Sequence, residues 1–295
     1  LSLIKLVPPS TITLRSLSDF AQVRSVHWTR FLSAASRDEK KPSSQRRIRY
    51  CLTASSVAHY VDLHSHFLPG LDDGAESFAT CLSMVRALAE MGFSDLCATP
   101  HQFAGMFEPP LDQVRLTFDQ VSHGIAAVLP EVRLLLGAEN YWDDVLAARL
   151  RQGEPPCYDG GKAFLFEISP LVMPPRLEEA LFDIRVGGRL AVLAHPERYP
   201  AVQRDPAVAE GLGRQAALLV DLAALSGTGD RTEIRTARRL VEEGLAHAAA
   251  SDIHDPEDGP AIASGLAWIE KRLGAEAVKR LLSDNPRRIL KGQLP

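Results

Sequence analysis

The sequence predicts a parallel α/β barrel of seven strand–helix units, and three observations carry that prediction. From Tyr60 onward, strand-like and helix-like segments alternate, which implies a parallel sheet with crossover helices. Seven such units over about 230 residues suit a barrel related to the TIM type. Histidines and carboxylates fall where the strand-like runs stop, as a barrel with one functional rim requires. A doubly wound open sheet is the alternative architecture.

The units follow in order. "YVDLHSH" enters as a strand and is followed by "ESFATCLSMVRALAEMG", whose apolar residues recur at helical spacing and which stops at Gly92. "DLCATPH" precedes the helix "LDQVRLTFDQVSHGIAAVL"; "VRLLLGAENYW" precedes the short helix "DDVLAARLRQG". "AFLFEIS" leads to "RLEEALFDIRVGG", and "LAVLAHPER" to "AVAEGLGRQAA". "LLVDLAAL" leads to "EIRTARRLVEEG", and "AHAAASDIHD" to a closing helical stretch from Ala261 to Leu290.

Residues 1–58 read differently from residues 59–295. They carry ten Lys/Arg against three Asp/Glu, a net of +7, while the whole chain has a net charge of -4. The segment is rich in Ser and Arg and lacks periodicity over most of its length, so it is expected to be a disordered basic extension. Translated sequence upstream of a true start and an Arg/Ser-rich targeting segment are the other readings. The remainder is acidic, which argues against nonspecific nucleic-acid binding. No run of about eighteen apolar residues occurs, so no membrane-spanning helix is expected. The four cysteines are scattered without a CxxC pair, as expected of reduced thiols in a cytoplasmic protein. None begins a C-x5-R loop, which leaves a cysteine-nucleophile phosphatase unsupported.

The strand ends carry the chemistry. The first ends in His64 and His66, with Asp72 and Asp73 in the following loop; the second ends in His101, the third in Glu139 and the fourth in Glu167. The fifth ends in His195-Pro-Glu197-Arg198 and the seventh in Asp252-Ile-His254. Side chains alternate along a strand, so the i, i+2 pairs His64/His66 and Asp252/His254 each face one way. His27, His59, His123 and His247 lie away from these ends and are read as surface or core residues. So many imidazoles and carboxylates in one pocket need cations to be stable together. A His/carboxylate set without thiolate suits manganese, zinc or iron rather than calcium.

With these motifs assembled, the sequence resembles the PHP (polymerase and histidinol phosphatase) superfamily, and within it the bacterial manganese-dependent tyrosine-protein phosphatases of the CpsB type. The resemblance rests on "DLHSHFLPGLDDG", "ATPH" followed by "GMFE", then "GAE", "FEIS", "AHPERY", "ASDIH" and "DNPRRI", in order over residues 60 to 292. It implies a distorted (β/α)7 barrel with up to three divalent ions, manganese first. The implied ligands are His64, His66, Asp73, His101, Glu139, Glu167, His195, Asp252 and His254, with Glu139 bridging. Asp72 is read as a loop or supporting residue. Arg198 is implied as the phosphate clamp, a role for which a guanidinium fork suits phosphate better than an ammonium does. The implied activity is hydrolysis of phosphotyrosine by metal-activated water, without a phosphoenzyme, on a bacterial tyrosine autokinase of capsule or exopolysaccharide synthesis.

Three departures concern the outer phosphate shell. The loop after His254, "HDPEDGPA", holds Glu257 and Asp258 where relatives often carry an arginine. Asp221 and Leu222 stand where Asn-Ser is frequent, and Gln102 follows "PH" in place of a basic residue or histidine. A small-molecule phosphoesterase of histidinol-phosphatase type and a non-catalytic metal-binding regulatory module are the competing readings.

Overall fold

The computed structural model describes residues 59–295. The expectation of a disordered extension over residues 1–58 lies outside the described residues. Among the described residues, nine strands form two parallel sheets, ordered β1-β2-β4 and β3-β5-β6-β7-β8-β9. Their ranges are β1 Tyr60–Asp62, β2 Phe93–Ala98, β3 His101–Gln102, β4 Arg133–Leu136, β5 Glu139–Tyr141, β6 Ala163–Glu167, β7 Leu190–Ala194, β8 Ala217–Asp221 and β9 Ala248–Ala250.

The nine strands make the seven expected units, because two units are broken in the middle. β2 and β3 are interrupted at Thr99-Pro100, and β4 and β5 at Gly137-Ala138. Proline has no N–H to give a ladder and fixes its own φ, so the chain bends there. Bonds across the breaks keep neighbours in register: Gly137 N donates to Ala98 O at 2.8 Å and Glu139 N to Pro100 O at 3.1 Å. Beyond the break, β5 pairs with β6 while β4 does not. Tyr158 packs on that side, its hydroxyl donating to Leu63 O at 2.9 Å. A Cβ on Gly137 would come within 2.9 Å of the Tyr158 ring, so the backbone approach there needs glycine.

First and last units meet at their carboxyl ends. Ser65 and Ile253 form a parallel bridge, flanked by Asp252 N donating to His64 O at 2.9 Å and His66 N to Ile253 O at 3.0 Å. The buried Asp62 carboxylate reinforces the join, accepting from Ser251 N at 2.9 Å and Ser251 Oγ at 2.5 Å. The expected distorted barrel is therefore the observed architecture, and the open doubly wound sheet is not.

Local sequence explains the elements. β7 and β8 are buried along their whole length, as continuous apolar runs in a covered parallel sheet should be. Alternation still sorts their side chains. Phe164, Phe166, Leu193, Leu218 and Val220 pack in one cluster with helical residues such as Leu181 and Leu240. Leu165, Val192, Leu219, Ala248 and Ala250 form a second cluster, drawn mostly from strands. The helices Phe78–Glu90, Asp144–Gln152 and Arg231–Glu242 start at Ser77, Asp143 and Asp230, whose side chains accept first-turn amides. The expected closing helical stretch is the helix Gly259–Leu273 followed by shorter helical segments from Ala275 to Leu290. Gly274, at φ +86°, breaks it.

Candidate metal centre

Every strand end that the sequence singled out opens onto one cluster of donor atoms. His64 and His66, just beyond β1, are fully buried. Their Nε2 atoms lie 3.1 Å apart. Glu139 Oε2, at the start of β5, is 3.3 Å from His64 Nε2 and 3.4 Å from His66 Nε2. Asp252 Oδ1 is 3.3 Å from the first nitrogen and 3.5 Å from the second. Donors about 2.0–2.1 Å from a common tetrahedral centre stand about 3.4 Å from one another. The donor set and its spacing therefore fit a divalent ion.

The remaining candidates extend the cluster on both sides. His101 Nδ1 is 2.9 Å from Glu139 Oε2 and 3.5 Å from Glu167 Oε1. His195 Nε2 is 2.9 Å from Glu139 Oε1 and 3.9 Å from Glu167 Oε2. Asp73 Oδ1 lies 3.4 Å from His101 Nε2 and 3.5 Å from His254 Nε2. Glu139 is thus central, each oxygen facing different imidazoles. Donor atoms gather into groups able to hold an ion: His64/His66/Glu139, His101/Glu139/Glu167 and His66/Asp73/His101/His254. A fourth such group, His64/Asp221/Asp252, includes a residue not expected among the ligands.

Local backbone aims these side chains. His195 and Asp252 follow β7 and β9 with φ of +35° and +50°, a region that non-glycine residues seldom occupy and that marks functional sites. Gly74 lies against His66; a Cβ there would fall 1.9 Å from His66 O. Asp72 lies beside the cluster rather than in it. Its Oδ2 is bonded to His66 Nδ1 at 2.8 Å and accepts from His101 N at 3.1 Å. Tyr199 Oη similarly sits 3.2 Å from His195 Nδ1. Partners of this kind fix the ring orientation of metal-binding histidines.

The charges are strongly coupled. Burial by itself would lower the His66 and His101 pKa values, but carboxylates override it. Asp72 and Glu139 raise His66 to about 10, and Glu139 and Glu167 raise His101 to about 11. Burial alone would raise Glu139, yet His64, His101 and His195 hold it well below the carboxylate range. Asp252 Oδ1 is buried without a hydrogen-bond partner in the protein, an expense that a bound cation would offset.

Arg198 stands at the rim, its side chain 42% exposed. Its NH2 group donates to Asp221 Oδ2 and to Asp252 Oδ2, each at 2.6 Å. The expected departures also have places. Gln102 Nε2 donates to His101 O at 3.2 Å and Pro109 O at 2.9 Å, tying down the loop that follows. Asp258 Oδ2 accepts from His254 N and Asp255 N at 2.9 Å each, so this acid caps the His254 loop. Glu257 is exposed. The sequence reading set Asp221 in the outer phosphate shell and not among the donors; its position directly at the end of β8 was the available signal. His247 is outside the site: its Nδ1 accepts from Leu218 N at 3.0 Å.

Known proteins are similar to this chain. The family model described as "Capsular polysaccharide synthesis, CpsB/CapC" matches residues 60–291. The tyrosine-protein phosphatase CpsB of Streptococcus pneumoniae is 28% identical over 248 residues, covering 79% of this chain and 99% of the relative. The tyrosine-protein phosphatase YwqE of Bacillus subtilis (strain 168) is 29% identical over 236 residues, covering 79% and 92%. A solved structure from work on YwqE of Bacillus subtilis and CpsB of Streptococcus pneumoniae, described as metal-dependent tyrosine phosphatases, superposes with a TM-score of 0.72. It is 28% identical, over 79% of this chain and 95% of that one. Among the described residues, no helix is long and apolar enough to cross a membrane. With its barrel, its strand-end donors and the matched family model in agreement, the chain belongs to the CpsB/CapC family of capsular polysaccharide synthesis.

Proposed function

We propose that this protein is a metal-dependent phosphatase that hydrolyses phosphotyrosine on a protein substrate. The observation that carries the reading is the convergence of His64, His66, Asp73, His101, Glu139, Glu167, His195, Asp252 and His254 on one rim, with Arg198 beside them. Those nine residues are the proposed ligands of up to three divalent ions, manganese first and zinc or iron as alternatives. When bound, such ions supply an acidified water and neutralise phosphate oxygens.

The chain's own residues do the rest. Glu139 would serve two ions, a role supported by its two oxygens facing different imidazoles. Asp72 and Tyr199 orient His66 and His195. Arg198 keeps Nε and NH1 free of protein partners among the described residues, since only its NH2 is bonded. Those groups are available to a phosphate, where positive charge stabilises the transferring group. An aryl leaving group suits the surroundings: Phe107 stacks over His101 with centroids 5.6 Å apart, and Phe103 stacks on Tyr141 at 3.7 Å.

The proposed partner is a bacterial tyrosine autokinase of capsule or exopolysaccharide synthesis; of these, the family description names capsular polysaccharide synthesis. Unpaired cysteines Cys81 and Cys97, both buried, support a cytoplasmic location. The test compares a phosphotyrosine peptide with histidinol phosphate, using manganese-loaded protein and a chelated control. Faster turnover of the peptide, abolished by chelation, supports the reading. Preference for histidinol phosphate would move the substrate to a small molecule. No turnover of either would favour a non-catalytic binding module.

A further inference from the structure

We infer that Asp221 is a positioning residue for Arg198, holding the guanidinium at the edge of the metal cluster where it meets phosphate; this rests on the phosphatase reading above. Asp221 ends β8 and is 2% exposed. Its Oδ2 accepts from Arg198 NH2 at 2.6 Å, and the same NH2 donates to Asp252 Oδ2 at 2.6 Å. Both hydrogens of that nitrogen are therefore committed, one to each carboxylate. A long, rotatable side chain thereby acquires a fixed end.

A second tether comes from the backbone. Asp221 N donates to Glu197 Oε1 at 3.0 Å, and Glu197 is fully buried. Glu197 and Arg198 belong to the same short turn, Pro196–Arg198, which follows the left-handed His195. Asp221 is thus bound to that turn through its main chain and through its carboxylate. Asp252 alone is a poorer anchor, because its other oxygen faces His64 and His66 in the cluster. With Asp221 sharing the load, Asp252 serves the cluster and the arginine at once. Charge-assisted bonds of this kind are stronger than neutral ones, so Asn in place of Asp should hold Arg198 less firmly and Ala not at all.

The experiment uses the full-length, manganese-loaded protein with para-nitrophenyl phosphate as substrate and inorganic phosphate as competing ligand. Asp221→Ala is expected to raise both KM and the phosphate inhibition constant about tenfold, with kcat less affected and metal content unchanged. Asp221→Asn should fall between Ala and the native protein, at about threefold. In an Arg198→Ala background, neither change should have any further effect, because the group that Asp221 positions is gone. If Asp221→Ala does not fold, Asp221→Asn in the two backgrounds makes the same comparison.

Three results would overturn the inference: phosphate affinity unchanged or improved by the Asp221 substitutions, effects that multiply with Arg198→Ala, or loss of an ion. The last would make Asp221 a ligand in the His64/Asp221/Asp252 group instead. Calorimetric titration of inorganic phosphate into each variant reports on Asp221 even if the native protein hydrolyses no phosphomonoester. Failure of the phosphatase reading is thereby distinguishable from failure of this one.

Discussion

His66 is held by Asp72: its Nδ1 lies 2.8 Å from Asp72 Oδ2, which leaves Nε2 pointing into the cluster beside His64. The adjacent aspartates of the first loop thus divide their tasks. Asp72 orients an imidazole and braces His101 through its amide, while Asp73 offers an oxygen to His101 and His254.

Asp72→Asn is accordingly expected to weaken manganese binding by about 10–100-fold. Melting in chelator should change far less. Titration of metal into both proteins checks this; equal affinities would remove Asp72 from the supporting shell.

The loop after His254 contains two acids with different jobs. Glu257 is exposed, whereas Asp258 caps the loop through the His254 and Asp255 amides. Glu257→Gln should raise kcat/KM for a dianionic phosphate, most at low salt, where repulsion is least screened. Asp258→Ala should instead cost about 1 kcal/mol of stability, as loss of a capping acceptor does, and loosen His254. Equal gains in rate from both substitutions would show that Asp258 acts as a repelling charge and not as a cap.

His247 makes stability fall in acid. Burial lowers its pKa to about 4 from 6.5, and its Nδ1 accepts from Leu218 N. The unfolded chain binds the proton more readily, so the contribution is complete above about pH 6.5 and is lost as pH falls toward 4. The loss amounts to about 3 kcal/mol. Urea unfolding in chelator at pH 7.5 and 4.5 should show a smaller difference for His247→Asn, which keeps an acceptor but cannot titrate. An unchanged difference would clear His247 of this role.

Residues 59–295 form extensive hydrophobic clusters of their own. We therefore propose that they are a self-sufficient metallophosphatase domain and that residues 1–58 are a separate basic extension. Deleting residues 1–57 should leave melting temperature and turnover within a few-fold of the full chain. Precipitation of the truncated protein, or loss of its metal, would contradict this.

Much of the site was legible in the sequence because it depends on local rules. Alternation puts His64 and His66 on one side of a strand end, and the same rule relates Asp252 to His254. Apolar runs announced β7 and β8, and apolar residues at helical spacing announced the helix Phe78–Glu90. Periodicity and capping involve neighbours a few positions apart, so a sequence displays them directly.

What only the tertiary structure decided joins distant residues. Strand breaks at Pro100 and Gly137, the Ser65–Ile253 bridge and the Asp62–Ser251 bond across 189 positions define how the barrel distorts and closes. Arg198 read as a free phosphate fork, yet its NH2 is shared between Asp221 and Asp252, 23 and 54 positions away. Asp258 read as an acid standing where relatives often carry an arginine, yet folding turns it into a cap. A charged side chain's partner is set by which strand ends are brought within hydrogen-bond reach, and that proximity exists only after the ring of strands has formed.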